Sequence, residues 1–267
     1  MTNVDPRKFM ARLRREALGG RRCKLFLDMF AGCGKVASAV ERFGDWGAAR
    51  IDTASATPLD LTDKRVLKTL QSWIQQGIVS AMHFAFPCTT WSHARRPALR
   101  RQNSLRGRDD LSAADRAKVQ VGNATVDATI YLVKLCIQYG LPATVENPST
   151  SMAWQLPFFA AERRSGRCQD IMTDFCQHGA RWRKRTRFLA WNLPTAPPLM
   201  CRLCSGRGVC SRTSLPHIML RGCVPGPSLP WTLRAQPYPA ELARTLAGWL
   251  VRGADRLSYA AVASVIA

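Results

Sequence analysis

Apolar positions recur along this chain with two periods. From Lys24 to Phe30 the run Lys-Leu-Phe-Leu-Asp-Met-Phe is almost continuously apolar, as a strand covered on both faces would be. Ala31-Gly32-Cys33-Gly34 then forms a tight loop that opens onto a helix reaching Phe43. A second strand is predicted at Ala48 to Asp52 and a turn at Pro58. An amphipathic helix follows, with Val66, Leu67, Leu70, Trp73 and Ile74 on one side. A third strand, Val79 to Phe86, stops at Pro87, which has no N–H for a sheet ladder. Ser112 to Asp115 resembles a capping box with Asp in place of Glu, and starts a long helix that ends at Tyr139 before Gly140 and Pro142. Ala143 to Glu146 is a short strand, and Pro239 opens a last helix with the stripe Leu242, Leu246, Trp249 and Leu250.

Strands alternating with helices at this spacing predict an α/β fold of the Rossmann-like kind with a mainly parallel sheet. The organisation reads as a basic arm over residues 1–22 outside the core, a catalytic core over 23–195, a small irregular insert over 196–235, and a returning helix over 236–267. The insert holds four cysteines with several prolines and glycines and little period. The segment Arg95 to Asp110, rich in Arg, Pro, Asn and Gly, reads as a long basic surface loop.

The chain has 267 residues, with 39 Lys plus Arg against 18 Asp plus Glu, a net charge of +21. Such an excess favours a polyanionic partner, nucleic acid first, although a generic basic surface or a localisation tail would produce the same count. The most apolar helical stretch, Thr125 to Tyr139, contains Asp127 and Lys134, so no membrane partner is expected. Residues 1–22 lack the apolar centre of a secretory signal, so the expectation is an intracellular protein whose ten cysteines are reduced thiols.

In an open parallel sheet, ligands bind beyond the carboxyl ends of the strands. Those positions here are Asp28 to Gly34, Asp52, Pro87-Cys88 and Glu146-Asn147-Pro148. Gly34-Lys35 does not make a phosphate-binding loop, because Met29 and Val36 stand where that motif needs a glycine and a hydroxyl. Asp52 suits a ribose-binding carboxylate, or a simple turn or helix cap. Cys88 follows a strand end in a polar turn and is a candidate nucleophile, with buried inert cysteine as the alternative. Glu146 on the same sheet edge would stand as an acid beside it. In the insert, Cys201 and Cys204 are separated by two residues, Cys210 comes six later and His217 seven after that. This spacing would fit a Cys₃His zinc site, with Cys176 or His178 able to replace one ligand and a small unligated cysteine core as the alternative.

Taken in order, these segments resemble the cytosine-5 DNA methyltransferases. Asp28-Met29-Phe30-Ala31-Gly32-Cys33-Gly34 is similar to their first motif, where an aromatic residue lies against the adenine of S-adenosylmethionine. Pro87-Cys88-Thr89-Thr90-Trp91-Ser92 is similar to their proline-cysteine motif, and Glu146-Asn147-Pro148 to their Glu-Asn-Val motif, in which the glutamate holds the cytosine edge. Arg183-Lys184-Arg185-Thr186-Arg187 is similar to Gln-x-Arg-x-Arg, with Arg185 and Arg187 in the arginine places. The helix after Ala235-Gln236-Pro237-Tyr238-Pro239 stands where the family's last motif closes the donor pocket. The resemblance implies a divergent, compact member with Cys88, Glu146, Arg185 and Arg187 in catalysis. It implies that Asp28, Phe30, Gly32, Gly34, Asp52, Asp60 and Pro87 line the donor site. It further implies DNA as partner and a nuclear or nucleoid location. The segment departs from the family at Pro148 and Arg183 and lacks the Gly-rich start of the last motif, so a catalytically silent relative that binds nucleic acid stands as the alternative.

Overall fold

The structure, a computed structural model, describes residues 6–20, 22–53, 59–223 and 230–266, with the side chains of residues 6, 7, 9 and 257–266 left aside. The turn expected at Pro58 lies outside the described residues. In chain order the elements are α1 (Pro6–Ala17), β1 (Lys24–Met29), α2 (Lys35–Val40), β2 (Trp46–Ile51), α3 (Lys64–Gln75), β3 (Val79–Phe84) and α4 (Ala113–Gln138). They continue with β4 (Ala143–Pro148), α5 (Pro157–Ser165), β5 (Gln169–Asp174), β6 (Arg185–Trp191), α6 (Trp231–Arg234) and α7 (Ala240–Ile266).

The fold is α/β, built on one six-stranded, mostly parallel sheet in the order β2-β1-β3-β4-β6-β5. β1 to β4 run parallel, and β6 runs antiparallel to both β4 and β5. The alternation in β1 assigns its two faces. Leu25, Leu27 and Met29 join a core with α1, α3 and α4, while Phe26 joins a second core with α2 and α7. Each face is covered by helices, which is why β1 reads as a continuous apolar run.

Local chemistry sets the helix starts. Ser112 accepts a hydrogen bond from the Asp115 N–H at the head of α4, and Asp63 accepts one from the Arg65 N–H at the head of α3. β3 ends at Phe84, two residues before the predicted end, and Phe86 is still buried.

Two expectations need correction. The basic arm does not stay outside the core: Met10 and Ala17 of α1 are buried, because its few apolar positions share one face that packs on α3. The chain then turns against β2, where the Ala17 carbonyl oxygen lies 1.8 Å from the point a Cβ on Gly47 would occupy. The segment after Arg95 is not wholly a surface loop either. Arg100 is only 3% exposed, its guanidinium enclosed by the carbonyls of Thr90, Leu105 and Val119 and by Asn123 Oδ1, with its carbon 3.4 Å from the centre of the Trp91 ring. The chain between β4 and the insert also holds α5, β5 and β6. Their alternation of arginines, aspartates and apolar residues gave no sustained period in the sequence.

Candidate functional site

The chain leaves β1 toward β2 on one side and toward β3 on the other, and such a reversal of strand order opens a crevice beyond the carboxyl ends. A cleft of about 440 Å³ lies there, lined by Asp28, Phe30, Gly32, Asp52, Pro87, Cys88, Glu146, Asn147, Lys184 and Tyr238 among others. A second chamber of about 390 Å³ shares Phe30, Asp52, Thr53 and Pro87 with it, and adds Asp60, Leu61 and Gln120. Together the two adjoining cavities are lined by all of the predicted donor residues except Gly34. Gly34 sits at the head of α2 with φ 64°, where a Cβ would meet the Arg50 side chain at 2.5 Å.

The turn after β1 is built around two carboxylates. Asp28 is buried and accepts a hydrogen bond from the Ala37 N–H of α2 at 3.1 Å, while Asp52 accepts one from the Gly32 N–H at 2.8 Å. Burial pushes the Asp28 carboxyl up to about 7, against the Ala37 hydrogen bond and the Arg50 charge. Phe30 between them has φ 59°, a conformation uncommon for an aromatic residue, and it lines both chambers. Asp60 is engaged locally, accepting from the Thr62 N–H at 2.8 Å and its hydroxyl at 2.7 Å.

Cys88 is half-buried in the turn after β3. Burial pushes its thiol up and the Glu146 charge adds to this, while the Lys184 ammonium works in the opposite direction. Glu146 is buried at the end of β4, accepts a hydrogen bond from the Thr186 hydroxyl, and lies 3.9 Å from Lys184 Nζ. The next residue, Asn147, donates to the Phe86 carbonyl at 2.8 Å, while its own Oδ1 is buried without a partner. Beneath the cleft, the Tyr238 hydroxyl is 3.1 Å from His83 Nε2, whose Nδ1 is 2.8 Å from the Thr144 hydroxyl. Burial drives His83 down to about 3 and Tyr238 well above its ordinary value, so both remain neutral.

The register of β6 decides which basic residue reaches this cleft. Pro148 pairs with Thr186 and Asn147 with Arg187, so Lys184 and Thr186 share the face of Glu146 while Arg185 and Arg187 take the other. Arg185 makes a two-pronged pair with the buried Asp174 at 3.0 and 2.8 Å, and Arg187 lies 2.9 Å from Asp170. Neither arginine lines the cleft. Lys184, which the motif spacing left unnoticed, does, with its ammonium 4.5 Å from the Phe175 ring centre. The signal that finds it is strand alternation across Lys184-Arg185-Thr186, which becomes usable only once this segment is known to be a strand.

A second constellation lies at the insert. Cys176, Cys204, Cys210 and His217 bring their ligand atoms within 4.8 Å of one another and could hold a metal ion. Of the predicted set, Cys201 is exposed and outside the group. It sits at the end of a short turn at Pro198–Cys201, and the turn at Phe175–His178 supplies Cys176 in its place. Burial alone would raise Cys204, but hydrogen bonds from Ser211, Gly206 and Cys176 outweigh it and bring the thiol to about 6, toward the thiolate a metal ligand needs. His178 instead bonds the Thr173 hydroxyl at 2.8 Å. Cys88 is not in this cluster.

Among the described residues no helix is long and apolar enough to cross a membrane. No protein-family model matches the chain, and no curated protein sequence matches it.

Proposed function

We propose that this protein is an S-adenosylmethionine-dependent methyltransferase that modifies carbon 5 of cytosine in nucleic acid, DNA first, through a covalent bond to Cys88. The observation that carries this reading is the common cleft: a half-buried thiol and a buried carboxylate line the same cavity as Phe30 and Asp52, and the chamber of Asp60 adjoins it. A Rossmann-like methyltransferase fold accords with the mostly parallel sheet and with a crevice at its reversal point.

The residues present fit the donor. Phe30 offers an aromatic side chain that lines both chambers, and Asp52 a carboxylate at the Gly32 turn. Bound there, S-adenosylmethionine would supply an electrophilic methyl group to carbon 5 of cytosine and leave as the neutral thioether.

The chain's own residues would do the rest. The Cys88 thiolate bonds to carbon 6, pushing the ring electron pair toward carbon 5, while Glu146 holds the nitrogen 3 edge. After methylation the carbon 5 proton passes to solvent, the carbon–sulfur bond breaks and the thiolate returns. Lys184, close to Glu146, supplies a positive charge that opposes part of the effect of burial at Cys88. The base must leave its stack to reach a thiol set this deep. We assign zinc to the Cys₃His cluster, with the metal tying the insert to the turn after β5.

Calorimetric titration with S-adenosylmethionine, repeated on Asp52→Ala, tests the donor site: binding that weakens in the variant supports it. An oligonucleotide carrying 5-fluorocytosine, whose fluorine cannot leave as a proton does, should then form a stable adduct with the wild-type protein and none with Cys88→Ser. Absence of donor binding would turn the assignment to a silent nucleic-acid-binding relative.

A further inference from the structure

The cations of this protein divide into those engaged inside the fold and those left free. In the basic segment, Arg95 pairs with Asp115 at 3.3 Å, Arg106 with Asp127 at 2.8 Å and Arg108 with Asp110, while Arg100 is enclosed by carbonyls. Arg185 and Arg187 are held by Asp174 and Asp170. The arginines that the motifs single out are therefore largely neutralised.

Free charges also line a second surface. A groove of about 690 Å³ runs between the turn after β5, the insert and the head of α7. Lys35, Arg212, Arg234 and Arg244 line it, with the aromatic residues Trp182 and Tyr238. Arg212 is held by the Gln177 carbonyl and by Glu241 at 2.7 Å. Lys35, Arg234 and Arg244 are exposed, and among the described residues no hydrogen bond or ion pair holds their side chains. The groove adjoins the cleft of Cys88, since Lys35, Pro237 and Tyr238 line both.

We propose that this groove carries the phosphodiester backbone of a single nucleic-acid strand on its way to the Cys88 cleft. The inference rests on the nucleic-acid reading above and names the form of that substrate at this surface. A base delivered to the cleft has left its stack, so the nucleotides beside it run as a single strand. Free cations interleaved with aromatic rings are the surface such a strand needs, since cations neutralise phosphates and rings stack with bases of any sequence. The paired arginines of the 95–110 segment would have to break their ion pairs to do the same.

Fluorescence anisotropy with a short labelled oligothymidylate and no donor measures this surface alone. The probe has no cytosine, so a failure of methyl transfer or of donor binding leaves the result unchanged. Arg234→Ala/Arg244→Ala should weaken binding about tenfold and reduce the slope of log affinity against log salt by about 1.4, two phosphates at about 0.7 each for a single strand. Arg234→Lys/Arg244→Lys should keep most of the affinity, and Arg106→Ala/Arg108→Ala should stay within about twofold of wild type. Both alanine positions in the groove are exposed, and an unchanged melting temperature verifies the fold. Wild-type affinity and slope in the groove variant, or a loss confined to the Arg106/Arg108 variant, would overturn the proposal. Displacement of the oligonucleotide by millimolar inorganic phosphate at constant ionic strength would also overturn it, by marking a site for the free anion.

Discussion

Replacing Asp28 by Asn should stabilise the protein above neutral pH while harming the proposed donor site. Asp28 is buried at the end of β1, and its carboxyl moves from an ordinary 3.8 to about 7 on folding. A carboxyl raised by folding costs nothing below the unfolded value, where both states are protonated. Its cost then grows as the pH rises and is complete above the folded value. At about 1.4 kcal/mol per pH unit, that interval corresponds to about 4 kcal/mol lost by pH 8. Asn does not titrate, and its amide oxygen can still accept the Ala37 N–H that Asp28 now accepts at 3.1 Å. The difference in urea-unfolding free energy between Asp28→Asn and wild type should therefore be near zero at pH 4 and approach about 4 kcal/mol in favour of the variant at pH 8. Proteins keep such costs at working sites, so calorimetry should show weaker S-adenosylmethionine binding in the same variant. A difference that is flat with pH, or a variant less stable than wild type at pH 8, would refute the argument from burial.

Cys176→Ser should lower zinc from about one equivalent per chain, whereas Cys201→Ser should leave it, as metal analysis of the purified variants would show; the opposite pattern would restore the spacing-based ligand set. Stripping the metal with a chelator should lower the melting temperature, because the insert would lose its tie to the turn after β5. Lys184→Met should slow alkylation of Cys88 by iodoacetamide several-fold at pH 8 and Lys184→Arg should not, read by mass spectrometry of the Cys88 peptide; equal rates would remove Lys184 as a charge that opposes the effect of burial there. Gly47→Ala should destabilise the fold by about 2–4 kcal/mol in urea, since the new methyl would meet the Ala17 carbonyl and push α1, with buried Met10, off the core. A loss under about 0.5 kcal/mol would mean that α1 contributes little.

Much of the scaffold around the cleft was legible in the chain. The strands from Lys24 and Val79 and the helices after Asp63 and Ser112 announce themselves because burial on two faces or on one stripe leaves a local period. Strand ends carry the turn residues, so Asp28, Cys88 and Glu146 could be picked out by position, and the cleft brings these three together. The segment from Pro157 to Trp191 was opaque because β5 and the start of β6 mix charged and polar residues with apolar ones, where β1 is an almost continuous apolar run of the same length.

The sequence by itself therefore determined the alternating α/β elements, the basic excess and the candidate thiol, all of which follow from local pattern or from composition. Only the tertiary structure decided which partners those residues meet. The antiparallel register of β6 against β4 turned Lys184 toward Glu146 and sent Arg185 and Arg187 to Asp174 and Asp170. The approach of the insert to the turn after β5 put Cys176, and not Cys201, beside Cys204, Cys210 and His217. The docking of α1 against Gly47 made a basic arm part of the core. These are contacts between segments remote along the chain. Sheet order and register set them, and a period of two or of 3.6 residues carries no information about either.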